Sequence, residues 1–129
     1  MKTLDQQEKR LTFYAAWKDF IKNLKYYIEI ENFILVHGGL NFNIDNPLSD
    51  KEGMLWIRNK EVDKEKINGK RIIVGHTPTK LKKIKKSLSK DRILLDGGCV
   101  YVHTKKKLGN LVALELNSME LLIQENIDM

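Results

Sequence analysis

The sequence predicts an α/β fold with α+β character towards its carboxyl end. Two observations carry that expectation. Two runs of β-branched and aliphatic residues, Phe33-Ile34-Leu35-Val36 and Arg71-Ile72-Ile73-Val74, each end at turn residues and read as buried strands. Between and after them lie helical patterns, whereas the last third holds short strand candidates separated by turn residues.

Taken in order, residues 5–25 read as an amphipathic helix. Phe13, Trp17, Phe20 and Leu24 recur at helical spacing, backed by Leu11, Tyr14 and Ile21. Asp5 followed by Glu8 has the spacing of a capping box. Residues 26–30 form a short strand, and Glu31-Asn32 turn the chain into the strand that ends at His37. Residues 41–52 are polar, include Pro47, and are expected to be a loop. Residues 53–59 form a short helix or turn carrying Trp56 and Arg58. Asn68-Gly69 is a turn signal before the strand that leads to His76.

Residues 79–90 are lysine-rich, with Leu81, Ile84 and Leu88 on one apolar helix face, so the lysines form a solvated face. Strands are expected at 93–95, 100–103, 111–116 and 120–124, with Asn117-Ser118 as a tight turn. The ending reads as an antiparallel meander behind a mixed sheet.

Size and composition narrow the class. A chain of 129 residues forms one domain, here 1–129, with 42% hydrophobic and 31% charged residues, as in ordinary globular proteins. No apolar run approaches the roughly 18–20 residues that span a bilayer, and the first residues have no apolar signal region. A cytoplasmic location without membrane contact is expected. The single cysteine, Cys99, excludes an intrachain disulfide and reads as a small buried filler rather than a catalytic thiol.

The net charge of +6 is uneven. Residues 1–68 hold 11 basic and 11 acidic side chains; residues 69–129 hold 12 and 6. Between Lys70 and Lys107 only Asp91 and Asp96 oppose the cations, so this stretch attracts anions. Nucleic acid is not the expected partner, because there is no helix-turn-helix, zinc-finger spacing or aromatic RNA-reading motif.

The candidate site rests on two histidines. His37 and His76 each stand where an apolar strand runs into glycine, in Val36-His37-Gly38-Gly39 and Gly75-His76-Thr77-Pro78. Neutral imidazole is a common metal ligand, and two adjacent strand ends could share one ion. The same histidines could instead make hydrogen bonds at the rim of the sheet.

The ordered blocks His37-Gly38-Gly39-Leu40, Leu55-Trp56-Ile57-Arg58, Gly75-His76-Thr77-Pro78, Leu95-Asp96-Gly97-Gly98 and Leu108-Gly109-Asn110-Leu111 resemble the calcineurin-like metallophosphoesterases. The closer resemblance is to bacterial and phage serine/threonine phosphoprotein phosphatases and symmetrical diadenosine-tetraphosphatases. It implies an αββα sandwich whose dinuclear metal centre of manganese, iron or zinc activates a bridging water for in-line attack on phosphorus. It further implies that His37 and His76 are ligands of one ion and that Arg58 holds phosphate oxygens. A surface ion pair of Arg58 with Glu61 or Asp63 is the alternative.

The family's Asp-x-His, Gly-Asp-x-x-Asp-Arg and Gly-Asn-His-Glu motifs, which supply the other metal ligands and the general acid, are absent from this chain. The sequence therefore reads as a carboxyl-terminal half, inactive or nearly so alone. Its expected partners are a phosphorylated protein or dinucleotide substrate, and a second chain or self-association covering the exposed sheet. A non-catalytic remnant that binds phosphate, nucleic acid or protein is the other reading. His103 matches no family ligand and reads as a strand-end or surface residue.

Overall fold

Parallel pairing of the two apolar runs organises the chain. The structure is a computed structural model, and it describes residues 4–102 and 107–128. Strands β1 (Tyr27–Ile30), β2 (Phe33–Val36), β3 (Arg71–Val74) and β4 (Arg92–Leu94) form one sheet in that order. β1 runs antiparallel to β2, whereas β2–β3 and β3–β4 are parallel. The mixed α/β sheet expected from the sequence is therefore present.

Each parallel step requires a crossover. The first carries helix α2 (Lys51–Trp56) and the second carries helix α3 (Leu81–Ser87). Both helices bury side chains on the sheet: Met54 and Ile84 are fully buried with Ile34 and Ile72. In central β3, Ile72, Ile73 and Val74 are all buried, as a strand covered on both faces requires. β2 instead alternates, with Ile34 and Val36 buried and Phe33 and Leu35 half-buried.

Strands β5 (Asn110–Glu115) and β6 (Glu120–Glu125) form a separate antiparallel hairpin. Backbone bonds tie it to the main body, with Gly109 and Asn110 each donating to the Gly97 carbonyl at 3.2 Å. Asn126 Nδ2 also donates to the Cys99 carbonyl at 2.8 Å. The cross-strand turn at Asn117-Ser118 is stabilised by Glu115, whose carboxylate accepts from both backbone amides.

Several expectations need correction. The expected strand at 100–103 is a 3₁₀ turn, Cys99–Tyr101, entered through Gly98 in the left-handed region (φ 64°). Val100 is 79% exposed there, which no buried strand position would be. The meander is consequently a two-stranded hairpin, and His103 lies outside the described residues. Cys99 is half-buried rather than a core filler. The expected loop at 41–52 includes a 3₁₀ turn (Pro47–Ser49) and the start of α2, which ends at Trp56 rather than Asn59.

The long helix α1 (Leu4–Lys22) forms where the sequence places it. Asp5 lies inside the helix and ion-pairs with Lys9 at 2.9 Å, so it is not the cap expected from the Asp5/Glu8 spacing. The apolar stripe of α1 is not covered by the described residues: Phe13, Tyr14, Trp17 and Phe20 are all at least half exposed. Burial therefore separates the two parts of the chain energetically. Removing a buried branched side chain from the core costs about 2–5 kcal/mol, whereas trimming an exposed one costs little. Ile72→Ala should lower the unfolding free energy by about 2–5 kcal/mol. Leu11→Ala should leave it nearly unchanged, as read by urea titration of both variants.

Candidate metal and phosphate site

The strand register sets the site. Val36 pairs with Val74 in the parallel ladder, so the next residues of β2 and β3 leave the sheet side by side. Gly75 N–H donates to the His37 carbonyl at 3.0 Å, which extends the ladder one step past the strands. His37 Nε2 then stands 3.0 Å from His76 Nδ1, with ring centroids 4.8 Å apart. The two histidines that the sequence singles out, 39 residues apart, are brought into contact.

Glycine is needed at the first strand end. Gly38 N–H donates to the Met54 carbonyl at 2.7 Å, and a Cβ at Gly38 would stand 2.9 Å from the Leu55 carbonyl carbon. The missing side chain lets the end of α2 pack directly on the strand end. That contact delivers Trp56, whose ring lies edge-on to His76 with centroids 5.6 Å apart.

Two side chains, Asn59 and Thr77, position the site through hydrogen bonds that no local pattern encodes. Asn59 Nδ2 donates to the Leu40 carbonyl at 2.7 Å while its Oδ1 accepts from Leu40 N–H at 2.8 Å. This pair of hydrogen bonds pins the segment after α2 against the turn after β2. Thr77 accepts from Arg58 Nε at 2.9 Å, which holds the guanidinium beside the histidines. Arg58 thus bonds Thr77 rather than making the surface ion pair with Glu61 or Asp63. Both partnerships join segments distant in sequence, so no local pattern reveals them.

His76 is strained and partly unsatisfied. Its φ of 64° lies in the left-handed region, which is uncommon for a residue with a side chain. Its Nε2 is buried without a hydrogen-bond partner among the described residues. Burial, followed by the nearby Arg58 and His37, pushes its pKa below the ordinary 6.5, and Asp96 opposes that shift. That shift favours the neutral ring.

A bound cation fits this donor set. If both facing nitrogens present lone pairs, they repel at 3.0 Å unless a proton or a cation lies between them. Metal–nitrogen bonds of about 2.0–2.1 Å place neighbouring ligand nitrogens on one ion roughly 3 Å apart. Coordination through His76 Nδ1 would leave its N–H on Nε2. Among the described residues, no group of three or more His, Cys, Asp or Glu side chains completes the set. Two imidazoles alone would be an incomplete ligand set for a transition metal.

Asp50 anchors α2 to this arrangement. Its Oδ1 accepts from Gly53 N–H and its Oδ2 from the Asn41 amide, each at 2.8 Å. The Gly53 bond, then the Asn41 bond, hold its carboxyl below the ordinary value of 3.8. The folded protein therefore binds this proton less readily than the unfolded chain. The interaction is fully present above the ordinary value and is lost as pH falls through the lowered folded value. Asp50→Asn retains a capping side chain but cannot titrate. It should flatten the dependence of stability on pH below about 4, followed by circular dichroism at fixed urea. No family model, curated protein or solved structure matches this chain.

Proposed function

We propose that this chain forms the carboxyl-terminal part of a metal-dependent phosphoesterase of the calcineurin-like type, acting on phosphorylated proteins or dinucleotides. The observation that carries the proposal is the 3.0 Å approach of His37 Nε2 to His76 Nδ1, with Arg58 tethered to Thr77 beside them. A paired imidazole donor set next to a guanidinium suits a transition metal that shares a phosphate ligand. The uncovered stripe of α1 supports the same reading, because half of a sandwich leaves such surface without a partner.

In this proposal His37 and His76 hold the ion, which would be manganese, iron or zinc. When bound within a dinuclear centre, the metal supplies Lewis-acid activation of phosphate and water. Arg58 neutralises phosphate oxygens as negative charge builds during in-line displacement, and its Thr77 bond fixes the direction from which it does so. Trp56 walls one side of the His76 ring and limits the approach of bulk water there. The remaining ligands and the general acid come from residues outside this chain.

Joining the chain to an amino-terminal half that carries Asp-x-His, Gly-Asp-x-x-Asp-Arg and Gly-Asn-His-Glu tests the proposal. Manganese-dependent hydrolysis of p-nitrophenyl phosphate should appear in the joined protein and be lost in His37→Ala and His76→Ala. Arg58→Ala should reduce turnover about 10²-fold, the usual cost of losing one donor to transition-state charge. The chain alone should bind zinc or manganese loosely and magnesium not at all, by isothermal titration. Tight binding retained in His76→Ala would place the ligands elsewhere and overturn the assignment.

A further inference from the structure

A second site lies away from the histidine pair, along the side of α3. Lys60, Lys83, Lys86, Lys90 and Arg92 line a cleft of about 570 Å³, floored in part by Val62 and Leu94. That volume lies within the range of small-ligand pockets. Two carboxylates, Glu61 and Asp91, also border it. Asp91 is already engaged by Lys64 at 3.1 Å. None of the five lining cations forms an ion pair with a described residue.

Some lysines outside the cleft have partners. Lys70 pairs with Glu29 at 2.9 Å, and Lys66 donates to the Phe42 and Ile44 carbonyls. Clustering like charges in a concave space costs stability through mutual repulsion and raises the local potential for anions. A plain solvated helix face would spread its lysines over a convex surface. Here the loop at Lys60 and the strand at Arg92 bring further cations to the same cleft.

The walls are also held rigidly. Ile84 is fully buried. Ser87 Oγ donates to the Ile84 carbonyl at 2.6 Å and accepts from Leu94 N–H at 3.0 Å, which locks α3 to β4. Arg71 Nε donates to the Lys90 carbonyl at 2.9 Å, and its guanidinium also reaches the Leu88 carbonyl. The backbone that carries these side chains is thus ordered by the fold before any ligand arrives.

We propose that this cleft binds an oligophosphate, a chain of linked phosphates that sets one negative charge or more against each of several cations. No aromatic side chain lines the cleft, so it offers no platform for stacking bases and does not favour single-stranded nucleic acid. Five cations in so small a space favour the high charge density of linked phosphates over the spaced carboxylates of an acidic peptide. The site does not depend on the phosphoesterase reading, because neither His37 nor His76 lines it.

Isothermal titration of the full chain with tripolyphosphate, in metal-free buffer containing EDTA at low salt, tests the proposal. Tripolyphosphate should bind at least tenfold more tightly than orthophosphate and weaken as salt rises. The triple variant Lys83→Gln/Lys86→Gln/Lys90→Gln should lose at least tenfold in affinity. All three positions are exposed, so the variant should fold, which its circular dichroism spectrum checks. Lys83→Arg/Lys86→Arg/Lys90→Arg should keep the affinity, and His37→Ala/His76→Ala should not change it. ATP binding as tightly as tripolyphosphate would assign recognition to the phosphate chain, whether free or carried by a nucleotide. Unchanged affinity in the glutamine variant would overturn the proposal. So would tighter binding of a thymidine oligonucleotide or a polyglutamate peptide than of tripolyphosphate.

Discussion

The in-register parallel pairing of β2 with β3 is the constraint on which the rest of the molecule depends. It sets Ile34 beside Ile72 and Val36 beside Val74, so the buried faces of two distant segments form one surface. The pairing forces a crossover on each side of β3, and α2 and α3 fill those crossovers. A one-residue slip would turn the buried side chains of β2 towards the other face. The same slip would separate His37 from His76, so core and site are specified by one register.

Around that register the site is assembled by backbone contacts more than by side-chain packing. Gly38 admits the end of α2, Gly75 extends the ladder, and Asn59 ties the segment after α2 to Leu40. These contacts are polar and directional, so they fix angles as well as distances. The left-handed backbone of His76 and its Nε2, unpartnered among the described residues, are held by that scaffold at a cost in stability. Such features concentrate where a ligand compensates for them.

Charge and apolar surface are distributed by a different rule from the core. α1 carries its aromatic residues outward, and the described residues do not supply the partner face that would cover them. Among the described residues some cations are paired, as Lys70 is with Glu29 and Arg71 with the Leu88 and Lys90 carbonyls, whereas Lys60, Lys83, Lys86, Lys90 and Arg92 stand together around the α3 cleft. No helix among the described residues is long and apolar enough to cross a membrane.

The α/β class, the strands ending near His37 and His76, the positions of α1 and α3, and the final hairpin are legible in the sequence. Each follows from a local signal: an apolar run, a helical period, or turn residues. The sequence also marked both histidines, because polar rings at the glycine-bounded ends of buried strands stand out from their neighbours. Only the tertiary structure decided that those rings meet, that Arg58 is held by Thr77, and that Asn59 bridges Leu40. These are contacts between segments 19 to 39 residues apart, and no local period encodes them. Residues 100–103 favour extended structure by their own propensity, yet the chain there enters a 3₁₀ turn at Cys99–Tyr101. The left-handed Gly98 and the docking of the hairpin on Gly97 overrode that propensity. The exposure of α1 was equally illegible, since a helical period shows which residues share a face but not whether anything covers it.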